Sequence, residues 1–450
     1  MNPELERNLW LELTPGRMIV MAVVLALIFF AAALTQGVAA GPGDVARWAY
    51  YVVVVIWGAR NAANSVVGEI RARTWDSQRL SALSAGTMMW GKLFGSTLLN
   101  WFGGAICLAV ILADLVQNHG FGVAFIELVY YLAIGVIAQA TALLASLIAA
   151  RRRQGRTQFE VFLYQCTGLA AAVATYLVWS VADPARSLLL PVQRAEVVMW
   201  WGQACPAQPF LLLSLALFTG WILTGCWRQM RLELQMRNGP LVWLGFLLFM
   251  GVYVAGFDAW LIDRQMLTGL DVAARRFLLV GLVYGTLAFV MVLLEPKDRV
   301  RFRWLGAEFG KLRFASALAN LQGWMTAYLA ALLAGIALLV VLGWSLTARE
   351  HAFLGALLGF LTRDVGIVVA MSVLTRRRGG DFMALAVLFL LYALLPAIFA
   401  SLNLTAGLAL WTPRLTDPVW LSPLAGWTEA VLVWAVTVAG IALPEKQSRA

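Results

Sequence analysis

About twelve stretches of some 20 mostly apolar residues run through this 450-residue chain, each long enough to cross roughly 30 Å of hydrocarbon as a helix. They begin near Met18, Trp48, Leu93, Phe125, Phe159, Pro209, Pro240, Arg276, Met325, His351, Phe382 and Trp427. In lipid a helix satisfies its own backbone hydrogen bonds, and the strict alternation of a membrane barrel is absent here. With 61% hydrophobic and only 13% charged residues, too little polar surface exists to cover a soluble globule. The expected class is an all-α polytopic membrane protein of about twelve transmembrane helices.

Lys and Arg stay on the cytoplasmic side far more readily than they cross, so their placement orients the chain. With both termini cytoplasmic, about 24 of the 34 fall in cytoplasmic segments and about 8 outside, and the opposite orientation inverts that ratio. The expected location is the cytoplasmic (inner) membrane, with lipid as an obligate partner. The net charge of +10 follows from this topology, so no nucleic-acid partner is needed to explain it. Cys107, Cys166, Cys205 and Cys226 show neither paired nor metal-ligand spacing. Glu4, Glu6 and Glu12 before the first span argue against a cleaved signal, although Val38-Ala39-Ala40 supplies small residues of the cleavage type.

The chain repeats itself with an offset of roughly 220 residues. Arg7 to Leu13 (RNLWLEL) matches Arg228 to Leu234 (RQMRLEL), Gly91-Lys92-Leu93 matches Gly310-Lys311-Leu312, and Trp101 matches Trp324. Arg151-Arg152-Arg153 matches Arg376-Arg377-Arg378. This ordering implies two six-span repeats, residues 1–227 and 228–450, of the same orientation and related by an axis along the membrane normal. Before the first span, Leu5, Leu9, Trp10 and Leu13 share one helical side while Glu4, Arg7 and Glu12 lie elsewhere. A short helix there suits the bilayer interface, and a second is expected over 228–238.

Between the second and third stretches lies a polar insert, residues 69–92. It holds Glu69, the basic Arg71 and Arg73, the turn Thr74-Trp75-Asp76, Arg79, the leucines Leu80 and Leu83, and the pair Gly91-Lys92. Leu80 and Leu83 share one side of a short helix that Gly86 is expected to end. This order of elements, with the elbow helix before it, resembles the cytoplasmic segment of ABC-2 type transporter permeases. The family often has Gly just before the Thr, where this chain has Arg73.

The resemblance implies the permease subunit of an ATP-driven exporter, which couples to two copies of a cytosolic ABC ATPase. It places Glu69, Arg71, Arg73, Thr74, Trp75, Asp76, Arg79, Leu80, Leu83 and Lys92 at the ATPase contact. A second, more basic insert, residues 295–324, offers Glu295, Arg303 and Lys311 for a different or weaker contact. ATP and magnesium belong to the partner, and this chain binds no cofactor. Gly86 to Lys92 does read G-x-x-x-x-G-K, but Leu93 follows where a magnesium-binding Ser or Thr belongs. Met88, Met89 and Trp90 also crowd a loop that must wrap phosphate. The other reading of the insert is a solvated loop helix on the membrane surface.

Arg363 and Asp364 fall near the middle of a span, where each charge costs about 2.5 to 3.5 kcal/mol and so needs partners. The repeat sets Gln139 opposite Asp364. These three are candidates for a polar gate on a substrate path, or for a structural lock between helices. Arg60, Asn61 and Asn64 read as anchors supporting the insert. The only histidines, His119 and His351, stand far apart and lack a carboxylate or metal-ligand motif. A stand-alone secondary transporter is the second expectation, and a lipid-modifying membrane enzyme, which lacks an acid, base or metal set, is the third.

Overall fold

The computed structural model describes residues 2–34, 41–81, 83–151, 158–180, 196–236, 238–259, 271–343, 348–375, 380–414 and 418–442. Val38, Ala39, Ala40, Arg152, Arg153, Arg376, Arg377 and Arg378, on which sequence readings rest, lie outside them. Among the described residues ten helices are long and apolar enough to cross a membrane. The chain is a helical, multi-pass membrane protein. It divides into two compact units, Met1–Val198 with Ala204–Asn238, and Met199–Gln203 with Gly239–Ala450.

The first unit opens with α1 (Pro3–Glu12). Asn2 caps it by accepting from the backbone N–H groups of Glu4 and Leu5, and Pro3 takes the first-turn position that needs no donor. Then follow α2 (Pro15–Leu34), α3 (Pro42–Tyr50), a π-helical segment Tyr51–Trp57 and α4 (Gly58–Arg71). The insert carries α5 (Trp75–Arg79) and α6 (Ala85–Trp90), and a second π segment, Gly91–Gly95, leads on. The long helices α7 (Leu98–His119), α8 (Phe121–Arg151) and α9 (Gln158–Ser180), a hairpin of β1 (Val197–Trp200) and β2 (Gln203–Pro206), and α10 (Ala207–Glu233) complete the order.

The stretch expected to span from Trp48 is thus one unbroken helical run from Pro42 to Arg71 with a π segment inside it. A π turn shifts the register of the ladder and exposes carbonyls to outside donors, and in lipid those carbonyls require them. Three side-chain amides from three helices arrive. Asn100 donates to the Val53 carbonyl at 2.9 Å, Gln139 to Val54 at 3.0 Å and Gln165 to Ile56 at 3.0 Å. Gln139 is fully buried and its other end accepts from Trp101 Nε1 at 2.9 Å, while Asn100 also accepts from Asn61 at 2.9 Å. The polar residue that the sequence set opposite Asp364 therefore joins α7 and α8 to the π segment. An aromatic cluster of Tyr50, Tyr51, Tyr130, Tyr131 and Trp179 fills the same core nearer the other end of the bundle.

The second unit holds α11 (Leu241–Ala255), α12 (Val272–Leu294), α13 (Arg299–Gly310), α14 (Phe314–Ala319), α15 (Gly323–Leu342), α16 (Ala348–Leu374), α17 (Gly380–Phe389), α18 (Leu395–Ser401) and α19 (Leu421–Ala442). Helix α11, the stretch expected from Pro240, is about 22 Å long at 1.5 Å per residue, short of the hydrocarbon thickness. Helices α16 and α19 meet backbone to backbone where Gly359 faces Gly426. A Cβ on Gly359 would lie 3.0 Å from the Trp427 nitrogen, and one on Gly426 3.2 Å from that of Phe360. Only small residues let two backbones approach this closely.

The elbow expected over 228–238 does not form as a separate helix. Arg228 to Glu233 continue α10, because CWRQMRLE, the stretch after Gly225, contains neither Gly nor Pro. The helix ends only where Gln235 takes φ +59°. Replacing Gln139 with Leu strands the Val54 carbonyl and the Trp101 N–H in hydrocarbon. The expected loss is about 1–2 kcal/mol, read as a lower thermal unfolding midpoint in detergent, and an unchanged midpoint would contradict this role.

Candidate functional site

Helix α4 ends at the start of the insert in a tight turn. The N–H of Thr74 bonds the carbonyl of Glu69 at 3.0 Å and that of Arg73 bonds Ile70 at 3.2 Å, with Arg73 at φ +59°. This is the left-handed cap usually taken by Gly, and an arginine adopts it at a cost of about 1–2 kcal/mol. Helix α5 then lasts five residues. The helix expected through Leu80 and Leu83 stops at Arg79, and Gly86 does not end it. Ser84 instead accepts from the Thr87 N–H at 3.1 Å and caps a new helix in which Gly86 occupies the first turn.

That second helix runs straight into Gly91–Gly95, the seat of α1. A Cβ on Gly91 would fall 2.5 Å from Glu4 Cγ, and one on Gly95 2.6 Å from Asn8 Nδ2. The glycine pair lets α1 lie directly on the chain. Asn2 Nδ2 donates to the Thr87 carbonyl at 2.7 Å, and Asn8 Nδ2 to the Gly91 carbonyl at 3.3 Å. The helix that the leucines predict for the interface is bolted to the insert by its polar side.

Lys92 lies at the centre. Its side chain is 2% exposed, and its ammonium pairs with Glu4 at 2.8 Å and with Glu69. Arg7 bridges the same two carboxylates at 2.8 and 3.0 Å, and Gln78 Nε2 donates to Glu69 at 2.6 Å. Two cations and two anions make the group neutral and link α1, α4, α5 and the Gly91–Gly95 segment. On the other side of the insert, buried Trp75 donates to Glu233 Oε2 at 3.3 Å, and Arg79 Nε donates to the Glu233 carbonyl at 2.8 Å. Trp75 also packs with Val66, Met88, Leu143 and Met230, which ties the insert to α8 and α10. A polar cavity of about 220 Å³ opens beside the network, with Asn61, Asn64 and Ser65 of α4 on its wall.

The sequence-designated residues thus divide. Glu69, Trp75, Arg79 and Lys92 face inward and hold the insert, with Leu83 half-buried among them. Arg71, Arg73, Thr74, Asp76 and Leu80 face outward, Leu80 at 88% exposure. Sequence reading missed Glu4, Arg7, Gln78 and Glu233 as partners. Only the i, i+3 spacing of Glu4 and Arg7 hinted at a pair.

The second insert has another character. Glu295 accepts from the N–H groups of Gly323 and Trp324 at 3.1 and 3.4 Å, capping α15. Arg299 and Arg303 donate to the carbonyls of Val373 and Ile441 at 2.8 and 2.7 Å, in the last turns of α16 and α19. Of its three candidate contacts, Glu295 and Arg303 serve helix ends, and Lys311 is exposed where its match Lys92 is buried.

Within the spans of the second unit, Arg363 Nε pairs with Asp364 at 2.9 Å and its Nη1 with Glu429 at 2.7 Å, while Tyr392 donates to Asp364 at 2.6 Å. The partners that these charges require are therefore Glu429 and Tyr392, neither of which carried a local sequence signal.

Removing Lys92 leaves Arg7 alone against the carboxylates of Glu4 and Glu69, one negative charge uncompensated where little water reaches, a change worth about 3–5 kcal/mol. Lys92→Met is expected to loosen the insert and speed trypsin cleavage after the half-buried Arg79, with little change after exposed Arg71. Equal cleavage of variant and wild type at Arg79 would contradict this. No family model, curated protein or solved structure matches the chain, so the site itself carries the functional reading.

Proposed function

We propose that the chain is the membrane-spanning permease subunit of an ABC-2 type transporter, working as an exporter in the cytoplasmic membrane with both termini inside. Counting the Pro42–Arg71 run and the shorter α11 with the ten long helices gives twelve candidate crossings, six through the end of α10 at Glu233 and six after it. This count supports two six-span repeats. Two copies of a cytosolic ABC ATPase carry ATP and magnesium, and this chain forms the substrate pathway.

The observation that carries the reading is the two-sided chemistry of the insert. Its inner side is fixed by a buried ion network and by Trp75. Its outer side offers Arg71, Arg73, Thr74, Asp76 and one apolar knob, Leu80, to the cytosol. A motor subunit needs such a handle: an exposed apolar anchor for affinity, charges for register, and a stiff connection to several spans. ATP favours one conformation only through differential contact, and the outer face is where that contact is available. The second insert, whose arginines cap helix ends, braces its half and grips less.

A second reading is a stand-alone secondary transporter, and the Arg363, Asp364 and Glu429 cluster within the membrane favours it, since intramembrane carboxylates serve ion coupling. Co-purification distinguishes the two. Extracted gently from its native membrane, the chain is expected to bring an ATP-hydrolysing protein with it. Asp76→Ala combined with Leu80→Ala is expected to weaken that association about tenfold or more, with no change in the elution of the chain itself. Undiminished ATPase on the double variant, or full transport driven by an ion gradient without any ATPase, would overturn the proposal.

A further inference from the structure

The tip of the β1–β2 hairpin builds a site that the transporter reading does not use. Trp200 and Trp201 point their indoles at the end of α11, where Trp200 Nε1 donates to the Tyr253 carbonyl at 3.0 Å and Trp201 Nε1 to Val252 at 3.2 Å. The Trp201 backbone N–H adds a bond to the Gly256 carbonyl at 2.8 Å. The fit demands glycine there, since a Cβ on Gly256 would lie 2.2 Å from Trp200 Nε1. With its ring thus fixed, Trp201 forms a wall against which Arg276 stacks, the guanidinium carbon 4.4 Å from the ring centre. Asp258 holds Arg276 Nε at 3.3 Å. The two terminal nitrogens of Arg276 have no partner among the described residues.

From this cation an apolar groove of about 760 Å³ runs along α12 and α15, walled by Val280, Tyr284, Ala330, Leu333 and Ala337. The one hydroxyl on its wall, that of Tyr284, is spent on the Leu247 carbonyl at 2.8 Å. Leu333 is 67% exposed on its rim, so the groove opens sideways. Eight residues separate Arg276 from Tyr284, about 12 Å of helix, within the roughly 15 Å depth of one leaflet's hydrocarbon. A stacked arginine and tryptophans at one end with bare hydrocarbon beyond is the polarity profile of a membrane interface.

We propose that this groove holds a phospholipid of the bilayer, its phosphate on the terminal nitrogens of Arg276 and one acyl chain along α12 and α15. Guanidinium presents paired donors matched to phosphate oxygens, and the stacking and Asp258 contacts aim them in advance. The site does not depend on the chain being a transporter.

The test uses the full chain in mixed phosphatidylcholine and phosphatidylglycerol vesicles. A trace of phosphatidylglycerol with a photoactivatable diazirine in mid-chain is added, and the adducts are mapped by peptide mass spectrometry. They are expected to concentrate between Phe277 and Tyr284 and between Ala330 and Ala337. Arg276→Gln removes the charge, and Ala330→Phe fills the groove from a partly exposed position. Each is expected to cut those adducts about tenfold while adducts on α9 stay unchanged. Excess inorganic phosphate is expected to leave the labelling in place. Adducts spread evenly over lipid-facing helices, labelling unmoved by both variants, or displacement by inorganic phosphate alone would each overturn the proposal.

Discussion

Lys92 sits almost wholly out of water between the carboxylates of Glu4 and Glu69, and an ion in that position costs several kcal/mol unless its partners are held to it. Three segments far apart in the chain must therefore meet at one point. Helix α1 arrives because Gly91 and Gly95 leave room for it, Glu69 because α4 continues unbroken to the turn at Arg73, and Lys92 because the second π segment directs it inward. Arg7 then neutralises the second negative charge. The result is a polar insert whose position is set by electrostatics on one side and by the packing of Trp75 on the other, with Leu80 left exposed on its outer face.

Backbone satisfaction in lipid is the second constraint, and the two units meet it by different means. In the first, side-chain amides of Asn100, Gln139 and Gln165 serve the carbonyls of a π segment inside the membrane. In the second, Arg299 and Arg303 close the ends of α16 and α19 from outside the spans, and Glu295 closes the start of α15. Charges that look like a binding surface in sequence are thus spent on helix termini in one insert and left free at Arg71 and Arg73 in the other. The asymmetry follows from partners and not from composition, since both inserts are basic.

The spans were legible because hydrophobic length is a local property, and so was the place of the insert, where polarity interrupts it. The identity of each partner was not. Glu4, Glu233 and Glu429 are ordinary acids in their own neighbourhoods, and elements 60 or more residues away bring Lys92 to the first, the Trp75 indole to the second and Arg363 to the third. The helix break was also misread. Gly86 promises an end, but the Ser84 hydroxyl caps a new helix and places the glycine inside it. The match of Arg228–Leu234 to the elbow was a likeness of residues in different settings, one before a proline and one inside a continuous helix. Tertiary context set the partners of the acids, whereas the cap at Ser84 is a local bond that outweighs the glycine signal two residues on.

The outward face of the insert is the account's central claim, and a photo-crosslinking residue placed at Leu80 in the native membrane tests it most directly. The account predicts one dominant adduct, formed on the cytoplasmic side, with a polypeptide that carries a nucleotide-binding loop. An adduct formed only from the opposite side, or only with lipid, would contradict it.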